Sequence, residues 1–193
     1  MATTRNHWGR RFALLSAAWV VGSTATWGEN WAQWRGPFFN GSTSETNLPA
    51  RLEPLEHRRG AAPLPGRSGA TPVVWEDSIF LPSPAPDKSL WRLCVDRGTG
   101  DIRWRRQVGT GDRVVGKNNM ASCSAVTDGR RVCVLFGTSD LAAFTMEGAP
   151  LWHRQLKDEF GGFAVMFLYG ANPLLFGDGL YIPLLQRDPP VYG

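Results

Sequence analysis

Lys117, Asn118 and Asn119 stand consecutively in a polar, glycine-rich stretch, residues 109–119. One ammonium and two amides offer donors suited to an anionic or polyhydroxylated ligand. The plainer reading makes them turn residues, so they stand as weak candidates for a binding site. Cys94, Cys123 and Cys133 do not have the spacing of a metal site, and no two are adjacent. All three fall in or beside expected strands, where a small buried apolar role suits a thiol. His57 and His153 lie far apart in the pattern, and His153 is expected at the surface. Trp31 and Trp34 present two rings on which a sugar or cofactor could stack, but packing of a strap explains them more simply. No Ser-His-Asp order, phosphate loop or convincing pair of carboxylates appears, so the sequence names no catalytic residue and no metal ligand.

The elements that would position these groups are short strands. Residues 93–104 read as strand, tight turn and strand: alternating apolar residues lead into Asp96-Arg97-Gly98-Thr99-Gly100, and a second strand carries Trp104. Asp bonds the backbone ahead of it, and Gly accepts the positive φ of a hairpin turn. The unit recurs at residues 141–152 with Gly148 and Trp152, and the two Trp are 48 positions apart. A different hairpin precedes each unit. Residues 72–81 align with 125–134 and again with 173–182, the last step being 48 and the first 53 because of an insertion at residues 82–88. A period of about 40–50 residues with four short strands per unit is the signature of a propeller blade. A β-sandwich is the alternative, but two kinds of hairpin recurring in the same order argue against it.

The stretch Asp96-x-x-Thr99-Gly100-x-x-x-Trp104 resembles the tryptophan-docking motif of PQQ-binding-like, quinoprotein-type β-propellers, with Cys94 at the place of the leading Ala. In the second unit Ala142, Gly148 and Trp152 match, whereas Phe144 and Glu147 depart from it. Trp31-Ala32-Gln33-Trp34-Arg35-Gly36-Pro37 resembles the opening of many exported members. The resemblance implies an all-β propeller of four-stranded antiparallel blades, with each docking Trp packed between neighbours. It also implies that inter-blade crossings, residues 109–119 among them, line a ligand-binding face near the central channel. PQQ and Ca²⁺ enter as possible cofactors by this resemblance alone.

Residues 1–28 read as a secretory signal peptide. Arg5, Arg10 and Arg11 precede an apolar run at residues 12–21, and Gly28 offers a small residue before the expected new start at Glu29. Removal lowers the formal net charge from +4 to +1, which leaves no stripe for nucleic acid. The apolar run is too short to span a bilayer, so no stable membrane span is expected in the mature chain. Residues 29–66 read as an N-terminal strap and connector that completes the last blade. Residues 67–193 read as a partial propeller of about two and a half blades, near 68–109, 120–158 and 170–193, the last truncated.

Together these features predict an exported protein, periplasmic or extracellular. Its expected role is a non-catalytic scaffold that binds a small molecule or a protein at the channel face or blade edges. The alternative is a PQQ-dependent alcohol or sugar dehydrogenase. In the family that activity uses a disulfide between adjacent Cys, and this sequence has no adjacent pair.

Overall fold

The computed structural model describes residues 28–46, 48–51, 53 and 60–185. The expected leader, apart from Gly28, and His57 lie outside the described residues. Four strands form the first sheet: β1 (Val73–Trp75), β2 (Ser78–Pro84), β3 (Ser89–Asp96) and β4 (Ile102–Thr110). They run antiparallel in the order β1-β2-β3-β4. A small hairpin follows, β5 (Val114–Val115) and β6 (Asn118–Asn119). The second sheet holds β7 (Val126–Thr127), β8 (Arg131–Leu135), β9 (Asp140–Thr145) and β10 (Pro150–Gln155), again antiparallel and in chain order. One turn of helix, α1 (Leu156–Phe160), leads to a last hairpin, β11 (Leu174–Phe176) and β12 (Gly179–Tyr181). The described chain is thus mostly β, with four-stranded antiparallel sheets like propeller blades. No described helix is long and apolar enough to cross a membrane.

Alternation along the strands decides what each sheet faces. In the first sheet Leu81, Leu93 and Val95 gather on one side with Ile79, Trp91 and Ala62. Val73, Phe80, Cys94 and Trp104 point to the other side, where they meet Ala125 and Val132 of the second unit. Leu90 continues this seam with Val134, Phe136, Ala142 and Phe144. The second sheet turns Leu135 and Leu141 toward Leu156, Tyr169 and Leu180. Of these three hydrophobic layers, the last two are shared between successive units, and the first lies between the first sheet and the connector.

The 82–88 insertion forms no separate loop. It lengthens β2 and β3, which turn at residues 85–88 as β8 and β9 turn at 136–139. In both turns the first residue's N–H bonds the carbonyl four residues on, at 2.8 and 2.9 Å. The fourth residue, Lys88 or Ser139, has positive φ, 66° and 74°.

The strand register also corrects the alignment of the docking units. Cys94 lies opposite Trp104, and Ala143 opposite Trp152. Ala143 and not Ala142 therefore takes the place of Cys94, because the second turn is one residue shorter. Thr145 then stands where Asp96 does, and does related work. Asp96 Oδ1 accepts the N–H groups of Gly98 and Thr99, both at 2.8 Å, and Thr145 Oγ1 accepts the N–H of Ala149 at 3.2 Å. Thr99's N–H and Arg103 hold the Asp96 carboxyl down at about 2.

Trp104 closes the seam. It is 9% exposed; its Nε1 donates to the Met146 carbonyl at 2.9 Å, and its ring meets Phe80 and Phe144 with centroids 6.0 and 6.1 Å away. Gly148 adopts φ +85°, and a Cβ there would come within 2.6 Å of the Trp104 ring. The turn of one unit thus seats the tryptophan of the unit before it. Trp152 has the same place in its own sheet but is 37% exposed.

The strap packs against the edge strands of the two sheets. Trp31 exchanges both backbone hydrogen bonds with Val74 on the free edge of β1, at 2.8 and 2.9 Å. The Thr127 N–H of β7 donates to the next carbonyl, Ala32, at 2.9 Å. Residues 31–32 therefore bridge the edge strands of both sheets.

Candidate functional site

The chain between the two sheets carries the three residues singled out in the sequence, but as a hairpin and not a loop. Val114 pairs with Asn119 and Val115 with Asn118. The two-residue turn between them starts at Gly116, with φ +61°, a geometry that glycine takes without strain. Such a turn projects Lys117 outward, and it is exposed.

The two amides are used differently. Asn118 Nδ2 donates to the Phe167 carbonyl at 3.0 Å, which fastens the hairpin to the segment after α1. Asn119 is buried and acts as a bracket. Its Nδ2 donates to the Arg67 carbonyl at 2.6 Å, its Oδ1 accepts the Ala121 N–H at 3.0 Å, and its own N–H donates to Ser122 Oγ at 3.0 Å. Ser68 Oγ donates to the Ala121 carbonyl at 2.6 Å, a second stitch between the same segments. These bonds draw residues 67–69 against the hairpin and enclose a cleft of about 520 Å³. Arg67, Ser68, Lys117, Asn118 and Asn119 line it, with Val114 and two glycines.

The three candidates thus line one cleft, yet the chemistry there is unequal. Asn119 and Ser68 already bond backbone, so they shape the cleft. Lys117 and Arg67 are exposed cations, and no carboxylate lines it. The lining therefore favours negative charge over neutral hydroxyls. Arg67 was invisible as a site residue in the sequence. It stands at the border of strap and repeat, and the long-range Asn119 and Ser68 bonds bring it into the same cleft as Lys117.

Two other clefts carry less free chemistry. One, at the Trp104 end of the seam, is lined by Trp75, Asp77, Arg103 and Glu147 among others. Its Arg103 is already shared between Asp77 and Asp96, at 2.6 and 2.5 Å. Another includes Thr138 and Asp140. Asp140 accepts from Thr138 Oγ1 at 2.6 Å and lies 3.0 Å from His153 Nε2, so the histidine is a half-exposed partner of a strand carboxylate.

The cysteines are buried and unpaired with one another. Desolvation pushes the thiols of Cys123 and Cys133 up to about 12 and 11, and raises that of Cys94. All three stay protonated near neutral pH and serve as packing. They sit on separate strands or loops and build no vicinal disulfide. Among the described residues no cluster of three or more His, Cys, Asp or Glu side chains could hold a metal ion.

No protein-family model matches the sequence, and no curated protein does. Among solved structures, BamB from Moraxella catarrhalis, a PQQ-like β-propeller, is similar at 20% identity with a TM-score of 0.32. The match covers 45% of this chain and 23% of that one, so the chain spans under a quarter of its length.

Proposed function

We propose that this chain is an exported binding scaffold whose cleft between the 67–69 segment and the β5–β6 hairpin takes a small anionic ligand, with a sugar acid as the fitting class. The observation that carries this is that Arg67 and Lys117 both line a cleft whose walls are fixed by Asn119 and Ser68. A volume of about 520 Å³ falls within the range of roughly 300–1,000 Å³ usual for ligand pockets. Two cations without a lining carboxylate attract a negatively charged group. Export rests on the leader pattern of residues 1–28.

The test uses protein recovered from the periplasmic fraction of expressing cells, titrated by calorimetry with glucuronate and, as the neutral control, glucose. Saturable glucuronate binding is expected, weakened about tenfold by either Arg67→Ala or Lys117→Ala and lessened by salt. Both side chains are exposed, so the variants should fold. Equal binding of glucose, or none of either, sinks the ligand reading. Protein retained in the cytoplasm with Met1 intact sinks the export reading.

A further inference from the structure

A cleft of about 630 Å³ opens where the end of β4 meets the start of β9 and the end of β10, and it holds both signs of charge. Asp140 and Lys157 line it, with Gly109, Thr110, Thr138 and Gln155 among the others. Asp140 is only 6% exposed. Its carboxylate accepts from Thr138 Oγ1 at 2.6 Å and lies 3.0 Å from His153 Nε2. A carboxylate offers about four acceptor sites, so these two partners leave it free capacity. Gly109 makes room for it, because a Cβ there would stand 2.6 Å from Oδ2. Lys157, in α1, is exposed, and no ion pair joins it to Asp140 or to any other described carboxylate. Gln155 Oε1 is buried without a hydrogen-bond donor.

Opposite charges that line one cleft without meeting suit a ligand that carries both. A simple anion is attracted by Lys157 and repelled by Asp140, and a simple cation meets the reverse. We propose that this cleft binds a small zwitterion, with a free α-amino acid as the fitting class. The ligand's ammonium donates to Asp140 and to Gln155 Oε1, which gains the donor it lacks. The ligand's carboxylate accepts from the Lys157 ammonium. Both contacts are charge-assisted, so each is stronger than a bond between neutral groups. The hydroxyls of Thr110 and Thr138 suit a small polar side chain on the ligand. This cleft is separate from the one that Arg67 and Lys117 line, where no carboxylate stands. The two binding readings therefore stand or fall independently.

The probe is L-serine, titrated onto the full chain and followed in proton–nitrogen correlation spectra. We expect saturable shifts of the Thr110 and Thr138 amides and of the Gln155 side-chain amide, with Lys117 unmoved. N-acetyl-L-serine lacks the ammonium and L-serine methyl ester lacks the carboxylate. Each leaves one charged group of the cleft unpaired, so each should bind about tenfold or more weakly than L-serine. Lys157→Met should weaken L-serine about tenfold and leave the methyl ester unchanged, because the ester has no carboxylate to lose. Lys157 is exposed, and the two analogues need no variant, so a folding defect cannot mask the answer. The proposal is overturned if L-serine gives no saturable shifts at the cleft, if either analogue binds as well as L-serine, or if Lys157→Met weakens L-serine and its ester equally.

Discussion

Arg92 is the residue whose setting is hardest to justify energetically. It points into the seam between the sheets, is fully inaccessible, and finds no hydrogen-bond acceptor for any of its three nitrogens. Its guanidinium carbon lies 5.1 Å from the Phe80 ring centre, a cation–π contact that offsets part of the desolvation. Burial pulls its pKa down to about 9, so the group stays charged at neutral pH. Taking a charge out of water costs several kcal/mol, and here no acceptor offsets that cost. Arg92→Met is therefore expected to raise the melting temperature by several degrees, read by circular dichroism. A lower melting temperature would show that the guanidinium holds a partner or a shape that methionine cannot replace. Nothing in the sequence marks this residue: it occupies an inward position of an alternating strand whose neighbours are Leu90 and Cys94.

At the scale of the element, the strand–turn–strand unit explains both what was legible and what was not. Gly100 and Gly148, with Trp104 and Trp152 four residues on, announced the hairpins because turn chemistry and period are local properties. Register is not local, so the one-residue difference between the turns, which moves the docking partner from Ala142 to Ala143, needed the pairing itself. The β5–β6 hairpin and α1 were missed because two-residue strands and a single helical turn leave almost no periodicity to read. The cleft was half legible: Lys117, Asn118 and Asn119 stood out as donors, whereas Arg67 joins them through long-range bonds. The unit also yields a paired prediction. Gly148→Ala puts a Cβ 2.6 Å from the Trp104 ring at φ +85°, so both strain and clash oppose it. Trp104→Ala empties the seam from the other side, and large aromatic truncations in cores cost about 3–5 kcal/mol. Each should lower chemical-denaturation stability strongly, and the double variant should cost less than their sum because they share one contact. Trp152→Ala, at a half-exposed site, should cost far less. Additive losses would break the docking interpretation.

On the scale of the whole molecule the chain is unevenly supported along its length. The two four-stranded sheets share the Trp104 seam, and residues 31–32 clamp their edge strands together. The last hairpin has three residues per strand, pairs with no third strand among the described residues, and leaves Leu174, Phe176 and Tyr181 exposed. An isolated two-stranded hairpin is marginal in water, so β11–β12 depends on the Leu175 and Leu180 contacts to the second sheet and on its flanks, where Asn172 accepts the Ser124 N–H and Pro183 accepts the Tyr169 hydroxyl. Local opening should therefore be graded. In native-state hydrogen exchange, amides of β2, β3, β8 and β9 should share the slowest, global opening, because the seam and the strap couple both sheets. Amides of β11 and β12 should exchange orders of magnitude faster, through a local opening that leaves both sheets intact. Trp104→Ala should then accelerate exchange in both sheets together while changing β11–β12 little. If the hairpin instead exchanged as slowly as β3, or if Trp104→Ala released one sheet and left the other protected, the picture of a coupled pair with a lightly held third unit would be wrong.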